Sequence, residues 1–232
     1  MITKILDVLF PKQCVITRQN GSLLSKWEQK KTYIHPECCP VCKKQSREFV
    51  VCHQCSQKSF LEWCVIWFVY HDGIKKLLLK LKYGHRYDVA WYLVEKLALL
   101  LQSNEQLKAA CSEWDLVISS IPSHWWRKYI VKWYNQSEVL AKELAQKLCI
   151  PYVPLLKKTR KTTSQVKLTR KERLHNLQNA FMLLPPKWNK PDIVILVDDI
   201  ITTWSTLQEG AKTIRSKLEN CRVWWAVIAR KA

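Results

Sequence analysis

The stretch "IVILVDDIITTWSTLQEG", residues 193–210, runs from an apolar segment through two acids and a hydroxyl-rich turn into a helix-forming segment. Residues 193–197 are continuously apolar, as a strand buried on both faces must be. Asp198 and Asp199 follow at its C-terminal end, where parallel sheets place their ligand sites. Adjacent carboxylates there can hold ribose hydroxyls and, directly or through water, a magnesium ion. Thr202, Thr203, Ser205 and Thr206 add hydroxyls and backbone N–H groups at the start of the helix. The unpaired donors and the dipole of a helix start favour an anion such as a phosphate. A plainer arrangement also fits: a capped helix after a strand, its two acids facing water. Trp204 stands in the turn, where backbone must come closest to a phosphate.

Working outward, the chain after residue 63 alternates apolar runs with amphipathic segments, the pattern of a parallel sheet with crossover helices. Strands are expected at 64–70, 115–122, 152–156, 192–199 and 222–230. Helices are expected at 73–84, 88–102, 135–149 and 205–218. Residues 1–60 are loop-rich and cysteine-rich. The expected organisation is a small module over 1–62 and an α/β domain over 63–232.

Composition narrows the setting. Hydrophobic residues make up 48% of the 232, enough for a packed core. The best apolar run, 93–101, is short and interrupted by Glu95 and Lys96, so no membrane span is expected. The opening "MITKILDVLFPKQC" carries Asp7 and lacks a small-residue cleavage site, which argues against a signal peptide and for a cytoplasmic protein. Lys and Arg exceed Asp and Glu by 38 − 19 = 19. A field of that sign attracts nucleic acid or phosphorylated metabolites, although the basic residues are spread along the chain and name no partner by themselves.

Ten cysteines in a cytoplasmic chain point to metal or buried thiols rather than disulfides. Cys39 and Cys42 in "CPVC" and Cys52 and Cys55 in "CHQC" form two C-x-x-C knuckles joined by nine residues. Two such knuckles complete a tetrahedral thiolate site for a structural zinc ion (Zn2+). Cys38 and His53 are spare candidates. Cys14 has Thr17 where a partner cysteine would stand, so it is expected to be buried or idle.

The acid–turn–helix segment resembles the phosphoribosyl diphosphate (PRPP) binding motif of type I phosphoribosyltransferases. A knuckle module, then "LKLKYGHRYDVAWYL", "SSIPSHWWRKYIVKWYNQSEVLAKELA", "RKTTSQVKLTRKERLHNLQNAF" and that motif, in this order, resemble the ComF family along nearly the whole chain. The most distinctive parts are Asn135 and Gln136 and the series Arg160, Thr162, Gln165, Arg173 and Asn176. The resemblance implies a type I phosphoribosyltransferase-like α/β fold, a parallel sheet with flanking helices, after a zinc-knuckle module. It also implies a role in DNA uptake during natural competence. Asp198 and Asp199 would face the ribose of PRPP carried with magnesium (Mg2+), and the turn from Thr202 to Thr206, Trp204 included, would hold the 5′-phosphate. Ser120 and the following loop, with Arg127 and Lys128, would meet pyrophosphate, unless those two cations are only a solvated face. The polar segment from Arg160 to Asn176 would be a hood over the site or a basic surface for nucleic acid, unless it is an ordinary surface loop.

Tryptophan complicates this match. The family pattern has glycine where this chain has Trp133 and Trp204, and the chain holds 12 Trp but 4 Gly. Ordinary glycine usage predicts about 16 in a chain of this length, and 12 + 4 reaches that number. Three readings compete. Trp204 is real and degrades the phosphate site, being strained if its φ is positive. It is real and points away, stacking on a base-like ligand. Or the sequence reads glycine codons as tryptophan, which the chain-wide shortage favours.

The expected function is a ComF-like role in DNA uptake, binding single-stranded DNA and retaining a PRPP-type pocket, with competence proteins as further partners. The alternatives are an active PRPP-dependent phosphoribosyltransferase of nucleotide metabolism, or an inactive scaffold if Trp204 is genuine.

Overall fold

The computed structural model describes residues 13–26, 29, 34–84, 86–122, 135–159, 178–185, 190–201 and 204–231. Four strands form one wholly parallel sheet: β1 (Trp63–Val69), β2 (Leu116–Ser120), β5 (Ile193–Ile201) and β6 (Arg222–Arg230), in the order β1–β6–β5–β2. A parallel sheet must bury both faces under its crossovers, which is why these segments are near-continuous apolar runs. Every residue of β2 and the first five of β5 are buried, as are eight of the nine in β6.

The crossovers are helical. Between β1 and β2 come α2 (Asp72–Gly84), α3 (Tyr87–Ser103) and α4 (Glu105–Glu113), after a single early turn of helix, α1 (His53–Ser56). In α3 the buried positions Val89, Ala90, Leu93, Val94, Leu97, Ala98 and Leu101 recur at helical spacing and form one core-facing stripe. Asn104 ends α3 and caps α4, its side chain accepting from Leu107 N at 3.1 Å. Helix α5 (Gln136–Leu148) follows β2, and α6 (Ser205–Arg215) links β5 to β6. A Cβ at Gly210 of α6 would stand 3.4 Å from the Trp225 ring and from Ile121 and 3.5 Å from Leu196, so this helix lies on the sheet with little clearance.

The expected α/β class, a parallel sheet with flanking helices behind an N-terminal cysteine cluster, is the observed one. Four details differ. Helix α4 is not anticipated, because its apolar stripe is only Leu107 and Ala110. The expected strand at 152–156 is reduced to a parallel bridge from Tyr152 to Ile118, since Pro151 and Pro154 have no N–H to extend a ladder. The chain pairs instead at β3 (Leu156–Lys158), antiparallel to the unanticipated β4 (Phe181–Leu183). The last helix ends at Arg215 rather than 218.

The N-terminal part packs on the outer edge of β1. Val50 bridges Trp63, Ile34 bridges Phe68, and the Trp63 indole donates to Glu48 O at 2.6 Å. Leu23, Leu24, Phe49, Val51 and Leu61 join the same apolar core as the sheet. The N-terminal part and the sheet therefore share one core.

Candidate functional site

The carboxyl ends of the four strands converge on one edge of the sheet, and most described candidate residues gather there. Asp198 and Asp199 are half-buried near the end of β5. Asp198 Oδ1 accepts from the Ser137 hydroxyl of α5 at 2.7 Å and from the Asp199 N–H at 2.9 Å. Asn135, just before α5, donates through Nδ2 to Ile121 O at 3.1 Å, and Gln136 donates to Lys82 O at 3.3 Å. Those two amides thus tie the start of α5 to the end of β2 and to α2, which sets Ser137 against Asp198. Ser120, last in β2, is buried with its hydroxyl 3.1 Å from the Tyr152 phenol.

Electrostatics single out the acid pair. Burial of the carboxyl group and the neighbouring charge of Asp199 push Asp198 up to about 8, against the pull of the Ser137 and Asp199 hydrogen bonds. Burial also raises Asp199, opposed chiefly by the charge of Lys82. Tyr70, past the end of β1, is raised by burial and then by Asp199. Two acids this close and this poorly hydrated favour a shared proton, or a cation that lets both ionise.

Trp204 occupies the position before α6 with φ −68° and ψ −13°. That is ordinary right-handed backbone, so the turn is not strained by a bulky residue. Its carbonyl accepts from Gln208 N at 2.9 Å, and no side chain caps the helix start. The indole packs against the core, with the Arg230 guanidinium 4.9 Å from its ring centre. Arg230 ends β6 and is 3% exposed, and its NH1 also lies 4.0 Å from Cys38 Sγ. Ser205 is buried and Thr206 half-buried in the first turn of α6. Thr202, Thr203, Arg127, Lys128, Trp133, Arg160, Thr162, Gln165, Arg173 and Asn176 lie outside the described residues.

Three residues here escaped the sequence reading. Ser137 directly follows the Asn–Gln pair and could have been found by its adjacency. Lys82 and Arg230 come from distant segments, and only the fold brings them to the acid pair and to Trp204.

The cysteine cluster is a second site. Cys39, Cys42, Cys52 and Cys55 place their sulfurs within 4.8 Å of one another, with Cys42 and Cys52 Sγ 3.7 Å apart. Four thiolates at about 2.3 Å from a tetrahedral ion stand about 3.8 Å apart. The set therefore fits a metal such as zinc. Local turns hold it, with Lys43 N bonding to Cys39 O and Ser56 N to Cys52 O, while Cys52 N points at Cys39 Sγ from 3.4 Å. Cys38 and His53 are not among the clustered ligands of the described residues. Cys14 is buried, and its sulfur accepts from Ser25 N at 3.3 Å and Thr17 N at 3.4 Å.

No protein-family model matches the chain. Competence protein F of Haemophilus influenzae is 30% identical over 207 residues, covering 80% of this chain and 88% of that protein. DNA utilization protein YhgH of Shigella flexneri is 30% identical over 191 residues, with 80% and 82% covered. Among solved structures, the allosteric regulatory enzyme of purine biosynthesis shares 18% identity and a TM-score of 0.36 over 60% of this chain and 25% of its own, too slight a likeness to bear on function. Among the described residues no helix is long and apolar enough to cross a membrane. With a relative of that identity and coverage, and with the resemblance running through knuckles, Asn–Gln pair and twin acids in order, the chain belongs to the ComF family.

Proposed function

We propose that this chain serves DNA uptake in the cytoplasm, binding single-stranded DNA on a basic surface and keeping a PRPP-type pocket at the carboxyl edge of its sheet. The observation that carries the pocket is the Asp198–Asp199 pair, held by Ser137 and faced by the charge of Lys82 beside the uncapped start of α6. In this reading Asp198 and Asp199 take the ribose hydroxyls of PRPP arriving with Mg2+, whose charge lets both acids ionise. Ser205, Thr206 and the N–H groups of the first turn of α6, with Thr202 and Thr203, take the 5′-phosphate. Ser120, Arg127 and Lys128 take pyrophosphate. The segment carrying Arg160, Thr162, Gln165, Arg173 and Asn176 closes over the ligand or adds to the nucleic-acid surface. Residues 1–62 form a module around a structural Zn2+ on Cys39, Cys42, Cys52 and Cys55, and 63–232 form a phosphoribosyltransferase-like domain.

The DNA role is supported by the net charge of +19 and by relatives named for competence and DNA utilization. It is tested by titrating the protein with a labelled oligothymidine across a salt series. Binding should weaken steeply with salt and survive Asp198→Ala and Asp199→Ala. Binding lost in those variants would place DNA in the acid pocket instead.

A second reading, a working phosphoribosyltransferase, is favoured by the retained acid pair with its hydroxyl partner. Such transfer breaks the bond between the anomeric carbon and pyrophosphate while a base nitrogen attacks that carbon. It asks for positioning and charge more than for a strong general base. Magnesium-dependent pyrophosphate release, lost in Asp198→Ala, would establish it.

A further inference from the structure

Of the nine large apolar or aromatic side chains most exposed among the described residues, four stand at a spacing of four: Leu79, Tyr83, Tyr87 and Trp91. The first two lie on α2 and the last two on α3, across the turn between these helices. Tyr83, Tyr87 and Trp91 are each about three-fifths exposed, at 64%, 61% and 60%. Within each helix a spacing of four places the pair on one face, about 6 Å apart, so Leu79 with Tyr83 and Tyr87 with Trp91 form two exposed pairs on either side of the turn. Pairs of this kind are normally turned inward. Here Leu77, Leu78, Leu81, Val89, Ala90 and Leu93 already supply the buried faces.

Lysines border the pair on α2. Lys75, Lys76 and Lys80 are exposed on α2, and Lys82 Nζ lies 5.9 Å from the Tyr83 ring centre. Over residues 72–91 the described cations are these four and Arg86, against Asp72 and Asp88. Arg86 forms a forked pair with Asp88, which leaves the lysines to set the local field. Exposed aromatic faces among lysines that form no salt bridge with a described residue make the pairing that tracks a phosphate backbone and stacks its bases. An acidic protein partner would use the charge but gives no reason for three exposed rings. Lys82, next to Tyr83, links α2 to the acid pocket, since Gln136 bonds to Lys82 O and the Lys82 charge acts on Asp199.

We propose that the outer face of α2 and the first turns of α3 form the seat of single-stranded nucleic acid, with Lys75, Lys76 and Lys80 on the phosphates and Tyr83, Tyr87 and, where its codon is an ordinary tryptophan UGG, Trp91 stacked on bases. The assignment rests on the DNA-binding reading above and adds the surface to it. The experiment is fluorescence anisotropy of the full chain with a labelled oligothymidine over a salt series. Variants are Tyr83→Ala with Tyr87→Ala, Trp91→Ala, and Lys75→Gln with Lys76→Gln and Lys80→Gln, each checked by circular dichroism for retained fold.

The aromatic pair of changes should weaken binding at least tenfold with the salt slope unchanged. The lysine variant should lower that slope by about 2. Unchanged affinity and slope in folded variants, with the wild-type protein still binding, would overturn this surface and leave the DNA reading standing. A wild-type protein that binds no oligonucleotide would overturn both. Equal loss of single-strand and duplex binding in the aromatic variant would overturn the stacking. Displacement of the labelled oligonucleotide by an acidic peptide of equal charge as readily as by unlabelled oligothymidine would also overturn it, in favour of a protein partner.

Discussion

The guanidinium of Arg230 stands 4.9 Å from the ring centre of Trp204, joining the end of β6 to the residue that starts α6. The indole is thus turned toward the sheet and the cysteine module, not held at an impossible backbone angle. Trp204→Gly should remove this contact and open the turn, since glycine is also a fair residue before a helix. The variant should leave PRPP affinity in the presence of Mg2+ within about twofold, by calorimetry, and lose about 1 to 3 kcal/mol of stability. At least tenfold tighter PRPP binding would show instead that the ring intrudes on the phosphate.

The codons at 133 and 204 form a separate check. None of the described tryptophans has a positive φ, so the backbone does not by itself require glycine at them. The buried indole N–H groups of Trp67, Trp224 and Trp225 find no acceptor, a cost of about 1 to 3 kcal/mol each. The chain-wide exchange of glycine for tryptophan predicts UGA at both 133 and 204. Ordinary UGG at those positions ends that explanation.

The acid pair makes stability depend on pH with a definite sign. Asp198 titrates near 4 when unfolded and at about 8 when folded, so the folded state holds its proton more tightly. Stability is full below about pH 4 on this account and falls as pH rises toward 8. Asp198→Asn should therefore raise the melting temperature at pH 8 by a few degrees, about 2 kcal/mol, and change it little at pH 4. An equal shift at both pH values would mean that ionisation of the Asp198 carboxyl, opposed by burial and by Asp199, does not set it.

Ser137→Ala removes the hydroxyl that donates to Asp198 Oδ1. The loss should cost about 1 kcal/mol or less in thermal stability. PRPP affinity should fall about fivefold to tenfold, while oligonucleotide binding stays unchanged. Loss of both ligands together would point to general unfolding at α5.

Removal of a metal held by the four cysteines should reach beyond the knuckles, because Cys39, Phe49, Val51 and Leu61 share the core with β1. Chelation, or Cys39→Ser, should lower the unfolding temperature of the whole chain by roughly 10 °C, seen as one transition. Two separate transitions would show that the module unfolds independently.

Much of this was readable in advance. Strand β6 at 222–230 and the strand–acid–helix order at 193–210 carry strong patterns, since a doubly buried strand permits little but apolar residues. The cysteine spacing likewise foretold the cluster. Helix α4 and the β3–β4 pair were hidden because three-residue strands and a two-residue stripe leave almost no periodicity. The contacts of Asp198 with Ser137 and of Trp204 with Arg230 join residues far apart in the chain, and one sequence does not reveal such pairs.

Titration calorimetry of PRPP with Mg2+ into the full chain, beside Asp198→Asn and Asp199→Asn, tests the pocket most directly. Magnesium-dependent binding to the wild-type protein is expected, weakened at least tenfold in each variant. Magnesium-independent binding, or binding that both variants retain, would contradict it.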